Sequence, residues 1–255
     1  MPVTSTFCRE VLMSKRRQQQ KAAASANANN TIQFDRVQKN SYNIVPRNAV
    51  QEEYLDLLMD PTKYIVFAVG PAGTGKTLLA MMAGIHALRE GTVKRLVLTR
   101  PAVGVEGESH GYLPGDLNSK MAPWTQPLFD IIRECYDQNQ VEQMIQNQVI
   151  ELAPLAYMRG RTFKNSWVIA DEMQNATPAQ MKMLLTRIGE GSKIILTGDL
   201  AQTDRRASQN GLLDFKTLVA QTGKCRYVRG IEFNYQHIER HPAVSEILKI
   251  YGETV

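Results

Sequence analysis

The residues with the clearest chemistry form an octapeptide that fits the phosphate-binding pattern G-x-x-x-x-G-K-[ST] without a mismatch. Its members are Gly70, Pro71, Ala72, Gly73, Thr74, Gly75, Lys76 and Thr77. Glycines let the backbone curl so that successive N–H groups point at an anion, and a helix N-terminus adds its positive end. In this pattern the lysine reaches the β- and γ-phosphates, and the last hydroxyl is a ligand of Mg²⁺. We therefore expect residues 70–77 to bind ATP, with Lys76 catalytic and Thr77 on the metal.

Two carboxylates that follow a later apolar run, Asp171 and Glu172, are the second group with catalytic potential. In P-loop ATPases an aspartate at this place holds Mg²⁺. The neighbouring glutamate can orient or deprotonate the attacking water, which is general-base catalysis. The pair therefore predicts hydrolysis. It argues against a small-molecule kinase, a class that shares the P-loop but suppresses attack by water.

Two glutamines complete the predicted site. Gln202 ends the sequence Gly198-Asp199-Leu200-Ala201-Gln202, which follows the next strand along the chain. Because ligands collect at the carboxyl ends of parallel strands, we expect Gln202 to sense the γ-phosphate. The alternative is an ordinary turn between a strand and a helix. Gln51 lies in a helix before the P-loop, and its amide offers both the donor and the acceptor that the adenine edge requires.

Alternating strand and helix signals predict the elements that position these residues. Apolar runs indicate strands at about 64–69, 94–99, 149–152, 166–170, 193–197 and 225–229. Periodic apolar residues indicate helices at about 48–59, 77–90, 124–135, 138–147, 178–188, 208–221 and 242–251. This alternation predicts an α/β fold with a mostly parallel sheet and helices on both faces.

The first 44 residues differ in composition from the rest. Residues 1–40 hold seven basic and two acidic residues, so the net charge of +5 arises entirely there. Residues 14–30 contain no large apolar side chain that could offset the entropy of ordering. We expect residues 1–44 to be a basic, low-complexity and partly disordered leader, and residues 45–255 to be the folded domain. A basic arm can bind phosphate backbones, and a merely solvated leader is the alternative.

The cysteine content, the apolar stretches and the N-terminal sequence indicate the cellular compartment. Three widely spaced cysteines, Cys8, Cys135 and Cys225, argue against a disulfide framework. No apolar stretch approaches the roughly 20 residues that a membrane-spanning helix needs, and the N-terminus does not resemble a signal peptide. These features predict a cytoplasmic protein.

Several stretches together resemble the PhoH family. They are Pro46 to Gln51, the P-loop, LTRPA at 98–102, GYLPGDL at 111–117, LAYMRGRT at 155–162, DEMQN at 171–175 and GDLAQ at 198–202. The resemblance covers about residues 45–252 and implies a P-loop NTPase with a single RecA-like domain, related to the ATPase core of superfamily 1 helicases. It also implies a connection with RNA metabolism.

The relationship to helicases carries an expectation about assembly. Those helicases place ATP between two RecA-like domains, and the second domain supplies an arginine. With one such domain, the arginine would come from another subunit of a homo-oligomeric ring, which we expect to be a hexamer. The candidates are Arg159, Arg161, Arg187, Arg229 and Arg240.

Residues 100–130 contain both cationic and aromatic side chains, which together bind single-stranded nucleic acid through phosphate contacts and base stacking. The candidate contacts are Arg100, Tyr112, Lys120 and Trp124. The alternative is that Tyr112 and Trp124 belong to the core or to a subunit interface.

The sequence leaves two candidate functions for the protein. The first is an ATPase that works on RNA or single-stranded nucleic acid, and the second is a nucleotide-switched ring or adaptor that acts on a protein partner.

Overall fold

The described part of the chain alternates strands and helices, as the sequence predicts. The computed structural model describes residues 44–101, 117–203, 209–239 and 242–250. The helices are α1 (Ala49–Met59), α2 (Lys76–Arg89), α3 (Leu117–Cys135), α4 (Gln138–Gln146), α5 (Pro178–Leu185), α6 (Gly211–Thr222) and α7 (Pro242–Ile250). The strands are β1 (Ile65–Val69), β2 (Arg95–Thr99), β3 (Ile150–Leu152), β4 (Ser166–Ala170), β5 (Lys193–Gly198) and β6 (Val228–Glu232).

The six strands form one sheet in the order β3-β2-β4-β5-β1-β6, and every neighbouring pair is parallel. All five residues of β4 and all six of β5 are buried, as expected for strands covered on both faces. β5 lies between β1, which leads into the P-loop, and β4, which leads into Asp171. The polar ends of these three strands therefore meet at one edge of the sheet. This is the predicted α/β fold of the RecA-like type.

Helices pack on both faces of the sheet. On one face, residues of α5 and α6 join a core cluster with Val168 and Ile194. On the other face, the indole N–H of Trp167 donates a hydrogen bond to the Ala80 carbonyl of α2 at 3.1 Å. Gly84 lets α2 approach closely, since a Cβ there would lie 2.6 Å from the Trp167 ring. The small residues of α2 thus hold the helix that starts at the P-loop firmly against the sheet.

Several element boundaries differ from the sequence prediction, and two of them have a clear structural setting. α3 begins at Leu117 rather than at about 124. α6 begins at Gly211 rather than at 208, because the Asn210 side chain accepts from two backbone N–H groups and caps the helix there. β6 runs three residues later than predicted. Its Gly230 lies against the Phe67 ring, where a Cβ would come within 2.1 Å, and this contact favours the observed register.

Among the described residues, no helix is both long enough and apolar enough to cross a membrane.

Candidate nucleotide-binding site

The P-loop leaves the end of β1 and turns directly into α2. The Gly70 N–H donates to the Gly198 carbonyl at the end of β5 at 3.2 Å, which ties the loop to the neighbouring strand. Gly75, the residue before α2, has a left-handed backbone with φ of 82°. A side chain at this position would be strained by the backbone, and its Cβ would lie 2.9 Å from the Gln51 amide nitrogen. The glycine at position 75 is therefore required by both conformation and space.

Lys76 lies at the centre of the loop and is only 7% exposed. Its ammonium donates hydrogen bonds to the Gly70 carbonyl at 2.8 Å and the Pro71 carbonyl at 2.7 Å. A third bond reaches the Thr74 hydroxyl at 3.2 Å. The loop oxygens thus hold the cation within the curl of the backbone, where phosphate oxygens could replace them as acceptors.

Gln51 of α1 supports the P-loop. Its amide nitrogen donates to the Thr74 carbonyl at 3.1 Å, and its amide oxygen accepts from the Arg47 N–H at 2.8 Å. Asn48 caps the N-terminus of α1, the helix that carries Gln51, because the Asn48 side-chain oxygen accepts from the Gln51 N–H at 3.0 Å. Both ends of the Gln51 amide therefore bind the protein itself, and its reading of adenine stays a prediction.

The two predicted Mg²⁺ ligands lie together. The Thr77 hydroxyl donates to Asp171 Oδ1 at 2.9 Å, across 94 positions of sequence. The same carboxylate oxygen accepts from the hydroxyl of Thr197, a fully buried residue of β5, at 2.6 Å. Sequence reasoning did not assign Thr197, although it is the first polar side chain after the apolar run of β5. Asp171 is thus held by hydroxyls from two elements and is 6% exposed.

Glu172 has an unusual backbone and two side-chain partners. Its φ of 55° and ψ of 37° place a non-glycine residue in the left-handed region, which costs on the order of 1–3 kcal/mol where the surroundings hold it. One carboxylate oxygen lies 3.1 Å from the Arg100 guanidinium. The other accepts from the Gln174 amide nitrogen at 2.5 Å. Such strain is concentrated at functional sites, which agrees with a catalytic assignment for this glutamate.

Arg100 joins the two carboxylates at the end of β2. Its Nη2 atom is 3.3 Å from Asp171 and 3.1 Å from Glu172, and its side chain is 28% exposed. The sequence predicted a contact between Arg100 and nucleic acid. The structure places this side chain beside the two carboxylates, where a fixed positive charge offsets two adjacent negative ones, and its contact with nucleic acid stays a prediction.

The turn after β5 contacts the same region through Gln174. The Gln174 amide nitrogen also donates to the Gln202 carbonyl at 3.2 Å, and its amide oxygen accepts from the Asp199 N–H at 3.1 Å. The side chain of Gln202 is exposed. The structure therefore brings the backbone of the predicted phosphate sensor into the network of Glu172.

The other predicted nucleic-acid contacts are less defined. Tyr112 lies outside the described residues. Lys120 and Trp124 lie on α3, but their side chains are outside the described part of the structure. Their contact with nucleic acid stays a prediction.

The candidate arginines for a neighbouring subunit differ in their surroundings. Arg161 forms a two-pronged ion pair with Glu151 of β3, at 2.5 and 2.9 Å, and lies over the Phe163 ring. Arg187 donates a hydrogen bond to the Thr186 hydroxyl, and Arg229 donates one to the Cys225 carbonyl. Arg159 is exposed and has no hydrogen-bond or ion-pair partner among the described residues. Arg240 lies outside the described residues.

The chemistry of these side chains fits Mg²⁺ and a triphosphate. Mg²⁺ prefers oxygen ligands and typically takes one or two carboxylates together with substrate phosphates. The Thr77 hydroxyl and the Asp171 carboxylate are such ligands, and they lie beside a glycine loop with a buried ammonium. These residues are therefore suited to hold the metal on the phosphate side of the P-loop.

Comparisons with known proteins identify relatives of this chain. The chain is 46% identical to a PhoH-like protein of Bacillus subtilis over 190 residues, 74% of this chain and 58% of that protein. It is 47% identical to a PhoH-like protein of Synechocystis over 190 residues, 73% and 56% of the two chains. The chain therefore spans little more than half the length of these relatives. A crystal structure of the Pif1 helicase from Candida albicans aligns with a TM-score of 0.42 at 17% identity, covering 82% of this chain and 44% of that one. The family model described as PhoH-like protein matches residues 43–252, and the chain belongs to the PhoH family.

Proposed function

We propose that this protein is a Mg²⁺-dependent ATPase that couples hydrolysis to the binding or remodelling of RNA or single-stranded nucleic acid. The observation that carries the ATPase assignment is the direct contact between Thr77 and Asp171, with Glu172 as the next residue. The glycine loop, the Thr77–Asp171 pair and Glu172 thus lie at one edge of the sheet, which supports this proposal. Membership of the PhoH family supports the same conclusion.

The residues divide the work of hydrolysis among them. The N–H groups of the glycine loop and the ammonium of Lys76 would bind the phosphates, and Lys76 would stabilise charge on the transferring γ-phosphoryl. Mg²⁺, held by Thr77 and Asp171, would supply neutralisation of the β- and γ-phosphate charge. Glu172 would orient the attacking water in line and accept its proton. Gln202 would respond to the presence of the γ-phosphate.

The test is ATP turnover by wild-type protein and by Glu172→Gln, with and without single-stranded RNA. Replacing a general base removes about 10²–10⁴-fold in rate, while ATP binding should remain because the P-loop is untouched. Normal hydrolysis by Glu172→Gln would show that the catalytic assignment is wrong. Stimulation of wild-type turnover by RNA supports the nucleic-acid part of the proposal. Indifference to RNA with normal basal turnover favours the nucleotide-switched ring or adaptor acting on a protein partner.

We also propose that the active form is a homo-oligomeric ring, a hexamer, with an arginine of one subunit completing the site of the next. Arg159 is favoured because it is exposed and lacks a bonding partner among the described residues. Arg161 is disfavoured because its pair with Glu151 would have to break. An arginine supplied in this way is worth about 10³–10⁵ in rate in other P-loop systems.

A further inference from the structure

The side chain of Gln174 connects two parts of the site that are far apart in sequence. This residue is fully buried, in the short 3₁₀ turn Met173–Asn175 that follows Glu172. Its amide nitrogen donates to Glu172 Oε2 at 2.5 Å and to the Gln202 carbonyl at 3.2 Å. Its amide oxygen accepts from the Asp199 N–H at 3.1 Å. The Gln174 amide therefore contacts the Glu172 carboxylate, which we propose orients the attacking water, and both ends of the turn at 199–202.

The surroundings leave this amide little freedom. A Cβ at Gly198 would lie 2.6 Å from the Gln174 amide oxygen, so glycine allows the close approach. The Thr203 hydroxyl donates to the Gln174 carbonyl at 3.3 Å, which binds the same turn to the backbone of this residue. A movement of residues 199–203 must therefore move Gln174 or break its hydrogen bonds.

The left-handed backbone of Glu172 makes its orientation depend on such bonds. A strained conformation persists only where the surroundings determine it strongly. Arg100 holds one carboxylate oxygen of Glu172, and Gln174 holds the other. Arg100 is anchored on Asp171, whereas Gln174 is anchored on the turn at 199–202.

We propose that Gln174 is the positioning residue through which the turn at 199–202 sets the orientation of the Glu172 carboxylate. The inference rests on the proposed function, because it assigns the link between phosphate sensing and water activation in that same site. When the turn responds to the γ-phosphate, the amide of Gln174 transmits the response directly to Glu172. An amide is required, because the contacts need two N–H donors and one acceptor on one planar group.

Two variants separate this role from packing. Gln174→Met keeps a similar volume and removes every polar contact of the side chain, while the backbone carbonyl can still accept from Thr203. Gln174→Leu removes the same side-chain contacts with a branched apolar side chain of similar size. Because small displacements of a catalytic group cost up to about 10²-fold, we expect both variants to lower kcat about 10- to 100-fold. The affinity for a non-hydrolysable ATP analogue should change less than about twofold, since neither variant alters the P-loop.

The matched control is Gln180→Met, which removes an amide that caps α5 by accepting from the Thr177 N–H. It should lower stability slightly and leave kcat unchanged. Wild-type kcat in Gln174→Leu would overturn the proposal, because donation to Glu172 would then be dispensable. This variant also decides the case if Gln174→Met does not fold.

The deciding measurement is a double-mutant cycle with Gln202→Ala. If Gln174 transmits the signal, Gln202→Ala should lower kcat at least about fivefold in wild type and far less in the Gln174→Met background. If Gln202→Ala instead lowers kcat by the same factor in wild type and in Gln174→Met, the proposal is overturned, while the ATPase assignment stays intact. An inactive wild-type protein would instead contradict the proposed function, and this inference with it.

Discussion

The hydroxyl of Thr77 lies 2.9 Å from the carboxylate of Asp171, although the two residues belong to different strand–turn units. Parallel packing of β1, β5 and β4 produces this contact, because all three strands end at the same edge. Thr197 of β5 completes it from the strand between them. The order of the strands therefore brings together the two residues proposed to bind Mg²⁺.

Thr77→Ala should lower ATP turnover more than Thr77→Ser does. Alanine removes both the proposed Mg²⁺ ligand and the hydrogen bond to Asp171, and we expect a loss of about 10- to 100-fold, the size typical for a lost partner around a metal site. Serine keeps the hydroxyl. Turnover measured across a Mg²⁺ titration checks this, and the alanine variant should need more metal. Equal turnover in both variants would contradict the assignment of Thr77 to the metal.

Arg100→Gln should lower ATP turnover by about tenfold or more, because two neighbouring carboxylates lose a shared cation in a part-buried site. Its effect on single-stranded RNA affinity should be less than about twofold, because the side chain faces the carboxylates. Turnover and fluorescence anisotropy with a labelled RNA measure the two effects. A remote control is Arg133→Gln, whose side chain pairs with Asp130 on α3. Loss of RNA affinity with normal turnover would instead support the contact predicted from the sequence.

Arg159→Ala should reduce ATP turnover by at least about 10³-fold if Arg159 completes a neighbouring site. Mixing it with Lys76→Ala subunits should restore part of the activity, since each variant supplies what the other lacks. Sedimentation of the wild-type protein provides the independent check. A fully active monomer would exclude the ring, and failure of the mixture to recover activity would exclude this arginine.

Lys193 should make stability depend on pH in the alkaline range. Its ammonium donates to the carbonyls of Leu58 and Asp60 at the end of α1, at 2.5 and 2.8 Å, and burial lowers its pKa to about 8. Lysine in an unfolded chain has a pKa of about 10.4, so between these values the unfolded chain binds more protons. The contribution of Lys193 to the free energy of unfolding should be constant below about pH 8 and rise from pH 8 to 10.

Denaturant unfolding of wild type and Lys193→Met at several pH values measures this contribution. The difference between the two proteins should change in favour of wild type as the pH rises above about 8. Lys94→Met, at an exposed position, is the control for replacing a lysine by methionine. A difference that stays flat to pH 10 would contradict the lowered pKa.

Tyr54→Phe should leave the fold intact and raise the free energy of unfolding by up to about 1 kcal/mol. The Tyr54 hydroxyl is buried without a hydrogen-bond partner among the described residues, and burial raises the pKa of the phenol. Its ring packs edge-on against Phe233, so Tyr54→Ala should cost about 3–5 kcal/mol. Chemical denaturation of both variants checks this. A large loss in Tyr54→Phe would show that the hydroxyl is bonded.

Local patterns predict most of the elements, because they depend on neighbours in sequence. Thr177, Pro178 and Gln180 predict the start of α5, and the structure has this capping box. The register of β6 could not be found in the same way. It depends on Gly230 lying against Phe67 of β1, a contact between residues that are distant in sequence.

The sequence by itself determined the P-loop, the Asp171–Glu172 pair and the parallel α/β fold, because spacing and periodicity encode short-range geometry. Only the tertiary structure decided which side chains meet around the two carboxylates. Thr197 lies in β5, Arg100 follows β2, and Gln174 lies in the turn after β4. The order of the strands brings these side chains to Asp171 and Glu172. Arg100 shows the limit most clearly. Its residue type suits nucleic acid and carboxylates equally, and only the position of β2 beside β4 directs it to the carboxylates.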